Sequence, residues 1–184
     1  MVRPVAAVAG AWLLCFGAAL HATVIRPIEF HELVAGARVI LHARVLGVRA
    51  QWADGRRRVE TLVTLEAEEY LKGQLGEQIT IRVPGGQLGR YRTIMIGAPA
   101  FTAGQDLVLF LDSSGPSLPF VFGLSQGVFR VVVDPARGAF VTPPLLEGRT
   151  TAPQPLVRGA MGRQPVPLAA FEAAVRQAIG DTVR

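Results

Sequence analysis

Hydrophobic and polar positions alternate most regularly in the segment Arg57–Gly86. In its first arm, one face carries Val59, Thr61, Val63, Leu65 and Ala67, and the other carries Leu62, Thr64, Glu66 and Glu68. In its second arm, Ile79, Ile81 and Val83 alternate with Thr80 and Arg82. A period of two with many β-branched residues is typical of half-buried antiparallel strands. The segment is therefore predicted to be a pair of strands with a connection at Lys72–Gly76 and an end at Pro84-Gly85-Gly86.

The chain on either side of this pair contains further short strand patterns. Strands are predicted at Val39–Ala50, Thr93–Ile96, Asp106–Asp112, Phe120–Phe122, Val128–Asp134 and Ala139–Thr142. Asp54-Gly55 and Pro135–Gly138 are predicted turns, and Gln87–Arg92 is a predicted polar loop. Both faces of Asp106–Asp112 are apolar, which places that strand in the interior. Because turns separate the strands and no helix intervenes, the pattern predicts an antiparallel barrel, whose closure leaves few exposed edges.

One helix is predicted before the strands and one after them. Ile28–Ala37 carries Phe30, Leu33 and Val34 at helical spacing. Residues 143–167 hold six of the 13 prolines and are predicted to be a linker or a surface strap without regular structure. Residues 168–180 are predicted to be a C-terminal helix, which either packs on the barrel or binds a partner. Its apolar face is formed by Leu168, Phe171, Val175 and Ile179, and Gly180 is its predicted cap.

The first 22 residues have the pattern of an export signal. Arg3 gives a positive start, Val5–Leu20 is an apolar run, and Ala22 is a small residue suited to cleavage. The run has 16 residues, which is short of the ~20 that a membrane-spanning helix needs. Residues 1–22 are therefore predicted to be a signal peptide and residues 23–142 the barrel domain. No transmembrane segment is expected after cleavage.

The amino-acid composition limits the kinds of functional site that the predicted exported chain can form. Cys15 is the only cysteine and lies in the signal peptide, so no disulfide, thiol nucleophile or cysteine metal site is expected. Without Arg3 the chain has 18 basic residues against 14 acidic ones, and Lys72 is the only lysine. Codon bias explains such an arginine excess, and attraction to lipid head groups or envelope polymers is the functional alternative. The cluster Arg56-Arg57-Arg58 is interpreted as part of a solvated turn.

One motif suggests a hydrolase. Gly123-Leu124-Ser125-Gln126-Gly127 matches G-x-S-x-G, in which a strained turn exposes a nucleophilic serine before a helix. The segment that follows Gly127 is instead a predicted strand. The motif also needs a histidine later in the chain, whereas the last histidine is His42. A triad of His42, Asp106 and Ser125 remains an alternative, and the two glycines are interpreted as permitting a tight β-connection.

Other polar residues give no pattern for a cofactor or metal. His31 and His42 have no neighbouring histidine or cysteine at ligand spacing. Glu66 and Glu68 share a strand face that is expected to be solvated, so no catalytic carboxylate pair is predicted. The glycine-rich segment from Gly85 lacks the lysine of a phosphate-binding loop. We therefore predict no catalytic, cofactor-binding or metal-binding residues.

Several segments between Leu33 and Val133 resemble an uncharacterised group of exported bacterial proteins. The matching segments are LVAGARVILHARVLGV, TLVTLEAEEYLKGQ, RVPGG, GAPAFTAGQDLVLFL and GLSQGVFRV. The first two also resemble the start of netrin-type modules, which include the tissue inhibitors of metalloproteinases. In those modules a strand follows a short helix and pairs with a strand ending in a Leu-Lys-Gly turn, as at Leu71-Lys72-Gly73. The resemblance implies a small OB-like Greek-key barrel. The resemblance does not imply inhibitory activity. Those inhibitors act through an N-terminal cysteine, and this chain has no cysteine after residue 22.

The sequence thus predicts an exported, non-enzymatic binding or structural protein of the bacterial cell envelope, periplasmic or extracellular. Its expected partner is a protein or an envelope component, and no cofactor is expected. Nucleic acid is not an expected partner, because the predicted strands offer few aromatic residues for base stacking. The alternatives are a serine hydrolase using Ser125 and an OB-like binder of an anionic polymer.

Overall fold

A computed structural model describes residues 26–114, 117–142 and 165–182. The predicted signal peptide and most of the predicted proline-rich linker lie outside these residues. The helices are α1 (Phe30–Gly36) and α2 (Leu168–Thr182), and a 3₁₀ helix covers Leu124–Gly127. The strands are β1 (Val39–Ala53), β2 (Arg58–Lys72), β3 (Gln78–Pro84), β4 (Gly86–Leu88), β5 (Tyr91–Thr93), β6 (Asp106–Asp112), β7 (Phe120–Val121), β8 (Val128–Asp134), β9 (Gly138–Thr142) and β10 (Val166–Pro167).

Five strands close into a barrel in the order β1-β2-β3-β7-β6, with β6 returning to β1. The pairing of β3 with β7 is parallel, and the other four pairings are antiparallel. Register shifts in β1, such as that between Val45 and Gly47, mark bulges. Bulges bend a strand, and the bend in β1 gives the sheet the curvature with which it closes between β2 and β6. The structure confirms a mainly β, OB-like Greek-key barrel with a short N-terminal helix and a C-terminal helix.

The barrel interior is filled by the alternating residues that the sequence placed on one face. Val63 and Leu65 of β2, Ile81 of β3 and Leu109 of β6 are fully buried there. The charged residues of β2 that alternate with them, Glu66 and Glu68, are exposed on the outer surface. The interior core therefore follows directly from the period-two pattern.

A second core lies between the barrel wall and the two helices. It contains Val108 and Phe110, the other face of β6, which explains why both faces of that strand are apolar. Phe171 of α2 packs on Phe129 and Phe30, with ring centroids 4.8 and 5.7 Å apart. Of the two alternatives for the C-terminal helix, the structure therefore shows packing on the barrel.

The Leu-Lys-Gly segment joins the β1–β2 ribbon to α1. Lys72 Nζ donates hydrogen bonds to the carbonyl oxygens of Val34 and Ala35, at 2.8 and 3.3 Å. A cation at the C-terminal end of a helix is favoured by the unpaired carbonyls there. Gly73 has φ +64°, and a Cβ at that position would lie 2.7 Å from the carbonyl oxygen of Arg38. The segment thus needs both a long cationic side chain and a glycine.

Four local predictions differ from the structure. The polar loop predicted at Gln87–Arg92 is a small hairpin of β4 and β5, which packs on β1 and β2. The strand predicted at Thr93–Ile96 ends at Thr93 instead, because Ile94–Ile96 have no strand partner. The linker predicted without regular structure at residues 143–167 includes the short strand β10, which pairs with β9. Helix α2 continues to Thr182, so Gly180 lies within it and does not cap it.

Candidate binding site at one end of the barrel

A groove crosses β2 and β3 at the barrel end that carries the β1–β2 turn. Its first cavity has a volume of about 340 Å³ and lies between that turn and β7. Apolar residues that line it include Val59, Val83, Met95, Phe120 and Leu124. OB-type barrels bind ligands across their second and third strands, between the neighbouring loops. The cavity therefore occupies the position at which this architecture commonly holds a ligand.

A second cavity of about 370 Å³ continues the groove on the other side of the segment 93–99. Both cavities are lined by Val83, Pro84 and Met95, and the second also reaches Val48 and Phe101. The end of β3 and the segment after β5 thus form a ridge between two apolar depressions. An extended apolar chain or a cluster of apolar side chains would fit this shape.

Two glycines shape the floor of the groove. Gly85 has φ +92°, and its carbonyl oxygen accepts a hydrogen bond of 2.8 Å from Thr61 Oγ1. A Cβ at Gly86 would lie 2.5 Å from the same hydroxyl oxygen. The chain can turn back over β2 here only because neither residue has a side chain. The predicted end of β3 at Pro84-Gly85-Gly86 is confirmed.

The charged side chains that line the first cavity form acid–base pairs with one another. Arg58 Nε donates to Asp54 Oδ2 at 2.8 Å, and Arg82 Nε lies 4.0 Å from Glu60 Oε2. Glu60 also accepts a hydrogen bond of 2.8 Å from Gln51 Nε2. These pairs leave the first cavity apolar and close to neutral, whereas the second cavity is also lined by Arg92.

The Gly-x-Ser-x-Gly segment lies next to this groove, but it is used for packing. The backbone N–H of Ser125 donates to the carbonyl oxygen of Gly97 at 2.9 Å. Gln126 is buried, and its Oε1 accepts a 2.7 Å hydrogen bond from the N–H of Ile28. The segment leads into strand β8 rather than into an α-helix, as predicted. It therefore fixes the segment before α1 and the segment after β5 against the barrel.

The residues of the alternative triad have other partners. His42 lies on the outer face of β1, with Nε2 3.4 Å from Glu68 Oε2 and Nδ1 3.9 Å from Glu172 Oε1. Asp106 pairs with Arg44, whose Nε lies 2.9 Å from Oδ1. Neither residue makes a hydrogen bond or ion pair with Ser125 within the described part of the chain. The structure thus places His42 and Asp106 on paired strands, β1 and β6, where each contacts other residues and neither is brought to the serine.

His42 belongs instead to a polar cluster beneath α2. Arg176 of α2 pairs with Glu69 of β2, and its Nη2 lies 3.9 Å from Glu172 Oε2. The Nε2 atom of His42 is buried and has no hydrogen-bond partner among the described residues. In the described ranges, no set of three or more His, Cys, Asp or Glu residues is arranged to hold a metal ion. The cluster is therefore best explained as the polar part of the contact between α2 and the barrel.

Glu172 makes this contact sensitive to pH. Burial raises the pKa of the Glu172 carboxyl group, and the charge of Glu69 adds to this effect, whereas His42 and Arg176 oppose it. A raised pKa in the folded state gives stability that is fully present below the usual glutamate pKa and is lost as the pH rises through the folded value. The Glu172→Gln variant, which stays neutral, is therefore expected to gain stability over the native chain as the pH rises from about 4 to 7.

Urea unfolding at several pH values measures this gain. The Glu66→Gln variant is the matched control, because Glu66 is exposed on the outer face of the same strand as Glu69. Its stability difference from the native chain is expected to vary less with pH. A Glu172→Gln gain that is the same at pH 4 and 7 would contradict the assignment.

Comparison with protein-family models, with curated proteins and with solved structures found no match to this chain. The resemblance to exported bacterial proteins and netrin-type modules therefore stays a prediction. None of the described helices is long and apolar enough to cross a membrane.

Proposed function

We propose that this chain is an exported, non-enzymatic binding protein of the bacterial cell envelope. It binds a protein or an envelope component at the end of the barrel that carries the groove. The observation on which this proposal rests is the open, apolar groove across β2 and β3, between the β1–β2 turn and β7. The predicted signal peptide supports the location.

The groove suits binding better than it suits a reaction. The two cations that line the first cavity, Arg58 and Arg82, are paired with acids, so none of these side chains is a free base or nucleophile. The hydrolase alternative has less support. In a nucleophile elbow the N–H of the residue after the serine holds the oxyanion, whereas here the N–H of Gln126 donates to the carbonyl oxygen of Gly123 at 3.2 Å.

Site-specific photo-crosslinking tests the proposal. The photoreactive residue p-benzoylphenylalanine replaces Ile94, which lies in the second cavity and is exposed. The matched control replaces Gln74, an exposed residue in the β2–β3 connection at the opposite end of the barrel. We expect envelope components to crosslink at position 94 and not at position 74. Equal crosslinking at both positions, or none at either, would contradict the proposal.

A serine-directed fluorophosphonate probe tests the hydrolase alternative in parallel. We expect no labelling that depends on Ser125. Labelling of the native chain that disappears in the Ser125→Ala variant would instead establish the enzyme and overturn the non-enzymatic assignment.

A further inference from the structure

The segment after β5 exposes three consecutive apolar side chains. Ile94, Met95 and Ile96 are 73, 46 and 63% exposed. An exposed apolar patch larger than scattered single residues often marks a surface that meets a partner or a membrane.

The same segment is tied to the barrel at both ends. Thr93 Oγ1 accepts a hydrogen bond of 2.8 Å from the N–H of Val59, and the carbonyl oxygen of Gly97 accepts one of 2.9 Å from Ser125. A turn bond from the N–H of Ala98 to the carbonyl oxygen of Met95 measures 3.2 Å. The apolar side chains are therefore held outward by a fixed loop. We call residues 94–96 the apolar loop.

Four exposed cations lie in the turn and the hairpin at the same end of the barrel as the apolar loop. Arg56 and Arg57 lie in the β1–β2 turn, and Arg90 and Arg92 lie in the β4–β5 hairpin, where all four are exposed. None of these four forms an ion pair within the residues that the structure describes, whereas Arg58 and other arginines of the barrel are paired with acids. No acidic residue occurs between Glu77 and Asp106. The barrel end therefore carries positive charge without nearby compensation.

Two aromatic residues connect the turn to the hairpin. Trp52 and Tyr91 meet edge to face with ring centroids 5.0 Å apart, which places the hairpin beside the β1–β2 turn. The guanidinium of Arg90 lies 5.1 Å from the Tyr91 ring centroid. Tryptophan and tyrosine are the residues that favour the level of lipid head groups, because one part of each ring system is apolar and another is polar.

We propose that this end of the barrel docks on an anionic phospholipid surface, an inference that rests on the proposed binding function. The apolar loop enters the boundary between head groups and acyl chains, and the four free arginines lie at the lipid phosphates. Interfacial binding combines buried apolar area with attraction to anionic lipid in this way. A soluble polyanion would satisfy the arginines and leave the two isoleucines in water. A neutral apolar partner would leave the arginines unpaired.

Sedimentation with lipid vesicles tests the proposal. One set of vesicles contains phosphatidylglycerol mixed with phosphatidylcholine, and the other contains phosphatidylcholine alone. We expect the chain to bind the first set, to bind the second at least about tenfold more weakly, and to be released by salt. Trp52 is the only tryptophan after Trp12 of the predicted signal peptide. Its fluorescence is therefore expected to shift to shorter wavelength with anionic vesicles.

Double variants distinguish vesicle binding through this surface from non-specific adsorption of the chain to vesicles. Ile94→Ser with Ile96→Ser, and Arg90→Gln with Arg92→Gln, are each expected to lower the partition onto anionic vesicles by about tenfold or more. The apolar control is Val132→Ser with Val133→Ser, since these residues of β8 are 51 and 68% exposed but lie outside the groove. The cationic control is Arg38→Gln with Arg137→Gln. Both controls are expected to bind like the native chain.

Three outcomes would overturn the lipid assignment. The first is equal affinity for both kinds of vesicle, and the second is an equal loss in the controls. The third is crosslinking of position 94 to a protein in a lipid-free extract with no binding to anionic vesicles. This third result would leave the proposed binding function standing. Absence of both vesicle binding and envelope crosslinking would remove the function as well.

Discussion

Replacing Phe171 with alanine is expected to lower the free energy of unfolding by about 3–5 kcal/mol. Phe171 is 3% exposed and packs on Phe129 of the barrel wall and Phe30 of α1. Truncation leaves a cavity at the point where the two helices and the barrel meet. Domains of this size are commonly stable by only about 5–15 kcal/mol, so the loss is a large part of the total.

The variant is expected to release α2 before the barrel unfolds. Urea unfolding measures the lost stability, and hydrogen exchange locates it, with faster exchange in α1 and α2 than in β1–β3. Gln177→Ala is the control, because Gln177 is exposed on the same helix and alanine keeps the helix propensity. Unchanged exchange in α2 of the Phe171→Ala variant would mean that the helix is held by other contacts.

The pattern of β2 and β3 was predictable because each of these strands meets the interior core on one face. The alternation in β2 and β3 is a property of neighbouring residues, and it follows from the pleat of an extended chain. The two apolar faces of β6 were also predictable, because every residue from Leu107 to Leu111 is apolar. The sequence could not predict which residues cover the outer face of β6. That face packs with Phe171 and Val175, which lie far from β6 in the sequence.

The polar cluster and the groove were not predictable, for related reasons. Glu172 carries no signal in the sequence, since its burial depends on how α2 crosses His42 and Glu69. The sequence predicts a loop in place of the β4–β5 hairpin because each of these strands has only three residues, and alternation over three residues is too short to recognise. That hairpin carries Arg90, Arg92 and Tyr91, so the basic and aromatic end of the barrel is apparent only from the fold.

Replacing Gly127 with alanine is expected to destabilise the barrel by about 3 kcal/mol. A Cβ at this position would lie 2.1 Å from the carbonyl oxygen of Phe122 and 3.2 Å from that of Phe110. Both atoms belong to backbone that cannot move freely, because the N–H of Phe122 donates to the carbonyl oxygen of Phe110 at 2.8 Å. Either β7 or the 3₁₀ helix must shift to make room.

The shift should open the barrel between β3 and β7, which form the shortest strand pairing in the barrel wall. Strand β7 joins β3 through one residue pair, Arg82 with Phe120, and through a 2.8 Å bond from the N–H of Arg82 to the carbonyl oxygen of Pro119. Thermal unfolding measures the loss, and crosslinking at position 94 should fall with it. Gly47→Ala is the matched control, since a Cβ at Gly47 would have no heavy atom within 4 Å apart from those of its chain neighbours.

The Ser125→Ala variant separates the two explanations of the Gly-x-Ser-x-Gly segment. If the glycines serve packing, Ser125→Ala should keep both stability and crosslinking, while Gly127→Ala loses them. The backbone bond from Ser125 to Gly97 does not depend on the hydroxyl group, so nothing in the described fold requires the serine side chain. A Gly127→Ala variant as stable as the native chain would show that β7 tolerates displacement, and the packing explanation of the motif would then be wrong.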